Sequence, residues 1–158
     1  MTELVHINRT LAHLIDNDPV RPELDYSFRI SNGRECLVLK DNDDVSAVIC
    51  VAYNHQVPKT IDELDEFSYN EFNDPNGIAV FYTVWSYKKG SGRDMVFTAV
   101  DYILHFKPWV SRFVTLSPKT EMARKFHLGN GAFILGENKF TDNYEYLVQC
   151  QNGTWAGW

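Results

Sequence analysis

Apolar positions change period several times along the chain, and each change marks an element. Leu4, Ile7, Leu11, Leu14 and Ile15 recur at helical spacing and stop at Asp16, Asp18 and Pro19, which predicts an amphipathic helix at the start. Residues 19–34 carry no clear period; residues 26–30 alternate weakly, as a short strand would, before the Asn32-Gly33 turn signal. Residues 36–40 and 45–53 are β-rich runs separated by Asp41-Asn42-Asp43-Asp44, whose side chains bond their own backbone in turns, so a β-hairpin is expected. Thr60-Ile61-Asp62-Glu63 has the form of a capping box and predicts a short acidic helix to about Phe67. A loop rich in Asn, Asp, Pro and Gly follows over residues 70–77.

Residues 78–86 are almost wholly apolar or β-favouring, as in a strand covered on both faces. After the loop 87–91, Val96, Ala99, Val100, Ile103 and Phe106 form one helical face that ends before Pro108. Residues 112–116 read as a second buried strand. Ser117 as a cap and Pro118 as a first-turn proline predict a helix over 118–128, closed by Gly129-Asn130-Gly131. Residues 132–135 and 144–150 read as two last strands. The whole is one domain over 1–158: a mixed α/β sheet with helices on both faces, without internal repeats or low-complexity linkers.

Composition narrows the function classes. With 44% hydrophobic and 14% aromatic residues the chain has the makings of a globular core. Its longest apolar runs fall far short of the roughly 18 residues that span a bilayer, so no membrane segment is expected. Cys36, Cys50 and Cys150 are odd in number and show no Cys-x-x-Cys spacing, which suggests neither a disulfide framework nor a metal site and fits a reducing, cytoplasmic setting. The net charge of -6 argues against broad binding to nucleic acid or anionic lipid, so a basic cluster stands out against its background.

Such a cluster lies at 87–93. A buried strand runs into Lys88-Lys89-Gly90-Ser91-Gly92-Arg93 and then into a helix, the parts of an anion site. Gly90 and Gly92 permit close backbone approach and positive φ, while helix-start amides and the helix dipole attract phosphate. Ser91 and Asp94 fit a capping box that would start the helix near Gly92. A Walker loop is absent, and Met95 stands where a dinucleotide fingerprint needs its third glycine.

Here the sequence resembles the GNAT acyltransferases. Their cofactor motif, Gln/Arg-x-x-Gly-x-Gly/Ala, is matched by Tyr87-Lys88-Lys89-Gly90-Ser91-Gly92 at both glycines and not at the first residue. Residues 117–133 are similar to the family's second signature, Asn-x-x-Ala-x-x-x-Tyr-x-x-x-Gly-Phe: Ala123 and Gly131 match, while Thr120, His127 and Ala132 replace Asn, Tyr and Phe. The resemblance covers residues 78–136 and extends to the 35–53 hairpin. Residues 1–34 stay outside it, the family's usual first strand being missing or disguised.

The resemblance implies a mostly antiparallel central sheet of about six to seven strands and acetyl-CoA, or another acyl-CoA, as cofactor. It implies that the backbone of Val84, Trp85 and Ser86 pairs with the pantetheine arm as an added strand, and that the loop amides of Lys89, Gly90, Ser91, Gly92 and Arg93, with Tyr87 and Lys88, hold the pyrophosphate. Thr120, Ala123 and His127 would share one helix face beside the thioester. In the family a tyrosine on that helix donates a proton to the leaving thiolate; His127 stands in its place and, near a free pKa of about 6.5, could serve as acid or, through water, as base. The glutamate that many members carry on the fourth strand has no counterpart in residues 78–86, leaving Tyr82, Thr83 or a water as base.

The expected reaction is direct transfer of the acyl group to an amine. Asp62, Glu63, Asp65, Glu66 and Glu71 would suit a cationic acceptor, although a solvated helix face explains them too. Two other readings stay open: a non-catalytic acyl-CoA-binding module, and acylation of nucleic acid through a patch at Arg112, Lys119, Arg124 and Lys125. A homodimer also stays open.

Overall fold

The computed structural model describes residues 2–69, 76–151 and 154–156. Strands β1 (Thr2–His6), β2 (Arg34–Asp41), β3 (Asp44–Asn54), β4 (Gly77–Ser86), β5 (Val110–Thr115), β6 (Ser117–Pro118), β7 (Phe133–Glu137) and β8 (Thr141–Tyr146) make one eight-stranded sheet in the order β1-β2-β3-β4-β5-β8-β6, with β7 added beside β8. Only β4 and β5 pair in parallel; the other pairs are antiparallel. A separate antiparallel pair, β9 (Gln149–Gln151) and β10 (Thr154–Ala156), follows. The helices are α1 (Tyr26–Arg29), α2 (Ile61–Phe67), α3 (Ser91–Phe106) and α4 (Glu121–Gly129), and none among the described residues is long and apolar enough to cross a membrane. The hairpin, the acidic helix and the strand–helix order from residue 77 to 137 follow the sequence pattern; the predicted loop 70–77 lies mostly outside the described residues.

Each face of the sheet is covered. On one, Leu37, Ile49, Val51, Ala79 and Phe81 pack on Val96, Ala99, Val100 and Ile103 of α3. On the other, Val38, Val48, Cys50, Val80 and Tyr82 pack on Ile7, Leu14, Ile15, Leu24 and Leu64 from the N-terminal segment and α2. Phe106, the last residue of the predicted α3 face, remains 65% exposed.

The start of the chain departs from its predicted helix. Thr2–His6 is an edge strand on β2, and Ile7 continues it by donating to Cys36 O. Asn8 then accepts from Leu11 N and turns the chain into a single 3-10 segment, Ala12–Asn17. The periodic residues Leu4, Ile7, Leu11 and Leu14 thus point inward from a strand, a turn and a short helix rather than from one helix, because the open edge of β2 satisfies the backbone of residues 2–6. Residues 1–34, where a first strand was expected to be missing or disguised, thus open with a strand. Residues 26–30, read as a weak strand, instead carry α1 because Asp25 caps it, its carboxylate accepting from Phe28 N at 2.8 Å.

Two further boundaries move. Ser117 and Pro118 do not open a helix; they pair with Asp142 and Thr141 as β6, and α4 begins after Thr120, whose hydroxyl accepts from Ala123 N at 3.1 Å. The predicted last strand at 144–150 is replaced by β8 and β9, which break at exposed Leu147.

Candidate active site

The site originates in one extra residue in β4. Cys50 pairs with Thr83 and Val51 with Phe81, so Tyr82 is a bulge on β4. At the same level β5 turns away. The parallel ladder runs from Gly77↔Val110 to Phe81↔Thr115, Leu116 N donates to Phe81 O at 3.0 Å, and the chain then swings out to pair Ser117 with Asp142. Beyond the bulge β4 continues to Ser86 with β3 on one side and a cleft of about 620 Å³ on the other.

Main-chain alternation decides which groups face that cleft. Tyr87 N donates to Ser46 O on β3, and successive residues of an antiparallel strand direct their N–H and C=O to opposite sides. Trp85 therefore shares its backbone with β3, while Val84 and Ser86 turn theirs to the open edge. This divides the expected trio: Val84 and Ser86 offer backbone, and Trp85 lines the cleft with its side chain.

Arg21 fills the point where the strands part. Its Nε donates to Tyr82 O at 3.1 Å and its Nη2 to Leu116 O at 3.0 Å, supplying donors that the broken ladder no longer provides. Burial pulls its pKa below the usual value. The segment around it is locked in turn: Asp18 accepts from Arg29 Nη1 at 2.6 Å and from Thr83 Oγ1 at 2.9 Å, with both charged side chains fully buried. Asn17, Pro19 and Val20 are thereby held on the cleft wall. No sequence motif marked these wall residues, because their role depends on the long-range contact between Asp18 and Thr83.

At the mouth, Gly90 adopts φ 82° as the N-cap of α3, and nothing lies within 4 Å of where its Cβ would be. Among the described residues no backbone carbonyl takes the amides of Lys89, Gly90, Gly92 or Arg93. The capping box expected at Ser91 and Asp94 is not formed: Ser91 is itself in the helix, and its hydroxyl turns inward to Ser46 O and Lys88 O. Its amide is also engaged, by Lys88 O. Gly92 is required for close approach, since a Cβ there would meet Phe126 Cε1 at 3.2 Å and join α3 to α4 less tightly. Lys88, Lys89 and Arg93 are exposed; Lys88 Nζ stands 3.8 Å from Asp41, and Arg93 donates to Asn130 Oδ1 at 3.2 Å. The Tyr87 hydroxyl bonds Trp85 Nε1 and Asn17 Oδ1, both at 3.1 Å, rather than turning to the loop.

Helix α4 closes the far wall with Thr120, Ala123 and His127 on one face, as spaced in the sequence. Thr120 is spent as N-cap. His127 is 7% exposed, its Nδ1 2.7 Å from Tyr146 Oη and its ring 5.1 Å from that of Tyr144. Burial pushes its pKa down to about 4, so at neutral pH it is an uncharged imidazole and not the near-free histidine expected. Tyr146 itself is held above the usual phenol value by burial.

No carboxylate among the described residues lines the cleft. The acidic stretch sits on α2 instead, where Asp65 pairs with Arg34 and Glu63 accepts from Lys59 N, while Glu71 lies outside the described residues. The basic patch is partly neutralised: Arg112 forms a bidentate pair with Glu145, and Lys119 bonds Asp142.

No family model matches the chain, and no curated protein matches it. Solved structures do. Malonyl-CoA decarboxylase from Agrobacterium vitis shares 23% identity over 79% of this chain and 35% of its own, with a TM-score of 0.60. The Campylobacter jejuni N-acetyltransferase PseH in complex with acetyl coenzyme A shares 12% over 92% of this chain and 98% of its own, at 0.60. An acetyltransferase of the GNAT family from Bacillus cereus shares 13% over 92% and 96%, at 0.56. This chain thus spans about a third of the decarboxylase and nearly all of the two acetyltransferases, and its fold is the GNAT fold.

Proposed function

We propose that the chain transfers an acyl group, acetyl in the simplest case, from coenzyme A to an amine by direct transfer. The observation that carries this reading is the unpaired β4 edge at Val84 and Ser86 leading to the open amides of the Gly90-capped α3. An amide-bearing pantetheine arm can add to that edge as a short strand, and the pyrophosphate can take the amides of Gly90, Gly92 and Arg93 with Lys88, Lys89 and Arg93 nearby. That PseH and the Bacillus protein share the fold, and that PseH binds acetyl coenzyme A, supports the same reading.

The thioester supplies an acyl carbon to which a neutral amine adds, the C–S bond breaking as the C–N bond forms and the amine proton passing to the thiolate. The chain's own part is to orient and to polarise. His127, uncharged and beside Thr120 and Ala123 on the cleft wall, acts as a hydrogen-bond donor rather than as an imidazolium acid. No carboxylate among the described residues lines the cleft to act as base, so this reading favours amines that are already substantially neutral.

The acceptor follows from the wall opposite α4. Asn17, Pro19, Val20, Trp85 and Tyr87 form an uncharged, largely apolar surface, and buried Arg21 lies beside it. A second positive charge on the acceptor would find no counter-charge there. An amine with an apolar or aromatic body fits better than a polyamine.

Free thiol released from acetyl-CoA across a panel of aralkyl amines and polyamines tests this, with binding measured separately by calorimetry. Turnover with aralkyl amines is expected. Binding without turnover would identify a non-catalytic module, and conversion of malonyl-CoA to acetyl-CoA without any amine would replace transfer by decarboxylation.

A further inference from the structure

His127 has a partner that the GNAT resemblance does not supply. Tyr146 comes from β8, is 1% exposed, and places its hydroxyl 2.7 Å from His127 Nδ1. A buried phenol keeps its proton, so the hydroxyl hydrogen needs an acceptor. Nδ1 is one when the imidazole proton sits on Nε2.

Asn130 favours this arrangement over its reverse. Arg93 Nη1 donates to Asn130 Oδ1 at 3.2 Å, which fixes the carboxamide with its oxygen toward Arg93. The other end of the amide, Nδ2, is buried without a hydrogen-bond partner, and the Asn130 side chain lies against Tyr146. The amide end left near Tyr146 is thus a donor and not a competing acceptor, which leaves the hydroxyl hydrogen for His127.

We propose that Tyr146 is the positioning residue for His127: it holds the tautomer with hydrogen on Nε2, so that this N–H is the group offered to the cleft. No proton is transferred between Tyr146 and His127. Tyr146 orients and polarises, as a neutral histidine electrophile requires. The inference rests on the acyl-transfer reading only for its catalytic consequence; the tautomer is a property of the protein alone.

The test is nitrogen-15 NMR of protein labelled at histidine, with the His127 signals identified by their loss in His127→Gln. In the natural protein at pH 7 the shifts should report Nε2 protonated and Nδ1 as acceptor. In Tyr146→Phe they should move toward a mixture of tautomers, while acetyl-CoA still binds by calorimetry within about twofold and kcat falls about tenfold or more, in line with the cost of an unfixed histidine tautomer. If Tyr146→Phe does not fold, the spectrum of the natural protein alone decides, because Nδ1 must be the unprotonated acceptor. Nδ1 protonated in the natural protein, or an unchanged tautomer in the variant that folds, overturns the proposal. A tautomer that shifts as stated in a protein that acylates no amine leaves the positioning role standing and removes the acyl-transfer reading instead.

Discussion

At the scale of single residues, the position of His127 was legible and its state was not. Its spacing from Thr120 and Ala123 places it on the cleft face of α4 from sequence alone. Its pKa is set by burial, and Tyr144 and Tyr146, which pack on it, come from β8 by pairings that no local pattern encodes. The depressed value has a consequence for stability. In the unfolded chain the imidazole titrates near its ordinary value of about 6.5, whereas in the fold it stays neutral down to about 4, so between those limits the unfolded state binds more protons. The stabilisation is complete above about pH 6.5 and is lost as pH falls toward 4, with a total on the order of 3 kcal/mol. Urea unfolding at pH 7 and pH 4.5 should show the natural protein losing stability more steeply than His127→Gln; parallel losses would mean that the imidazole titrates normally. For the same reason kcat should show no inflection near pH 6.5 attributable to His127.

At the scale of elements, the strand–loop–helix around residues 87–93 was readable in outline, with its details exchanged between the two glycines. Both were expected to serve backbone freedom. Only Gly90 has positive φ, and Gly92 instead admits the Phe126 ring against the start of α3. The helix therefore begins one residue before the capping-box pattern suggests, and the Ser91 hydroxyl is free to tie the loop to Ser46 on β3. The first predicted helix failed for a related reason: a hydrophobic period over residues 4–15 is compatible with strand, turn and 3-10 segment once an adjacent strand edge offers hydrogen bonds. The two glycines should respond differently to substitution. Gly90→Ala meets open space, so its cost is the left-handed backbone alone, about 1 kcal/mol by thermal unfolding. Gly92→Asp forces Phe126 aside and sets a carboxylate among the first-turn amides, so acetyl-CoA binding should disappear in calorimetry. Unchanged affinity in Gly92→Asp would sink the assignment of this loop to the pyrophosphate.

At the scale of the whole molecule, the sheet consists of two parts, β1–β4 and β5–β8, joined by a parallel ladder that stops at Phe81↔Thr115. Sequence indicated β4 and β5 but not where they part, because that point depends on a bulge at Tyr82 and on Arg21, far from either strand in the chain. The division makes a prediction about amide exchange. Ladder amides and buried amides exchange slowly, whereas a strand edge facing solvent does not protect its N–H groups. Val84 and Ser86 face the cleft, while Thr83 and Trp85, alternating with them, face β3. Without ligand, the Val84 and Ser86 amides should exchange faster than those of Thr83 and Trp85 in the same strand. Saturating acetyl-CoA should slow Val84 and Ser86 selectively if the pantetheine arm adds as a strand, and it should raise the melting temperature in step with occupancy, since a ligand at 100 times its Kd stabilises the fold by about 2.7 kcal/mol. Protection confined to the α3 amides, with Val84 and Ser86 unchanged, would place the phosphates at the loop but leave the edge of β4 without its proposed partner.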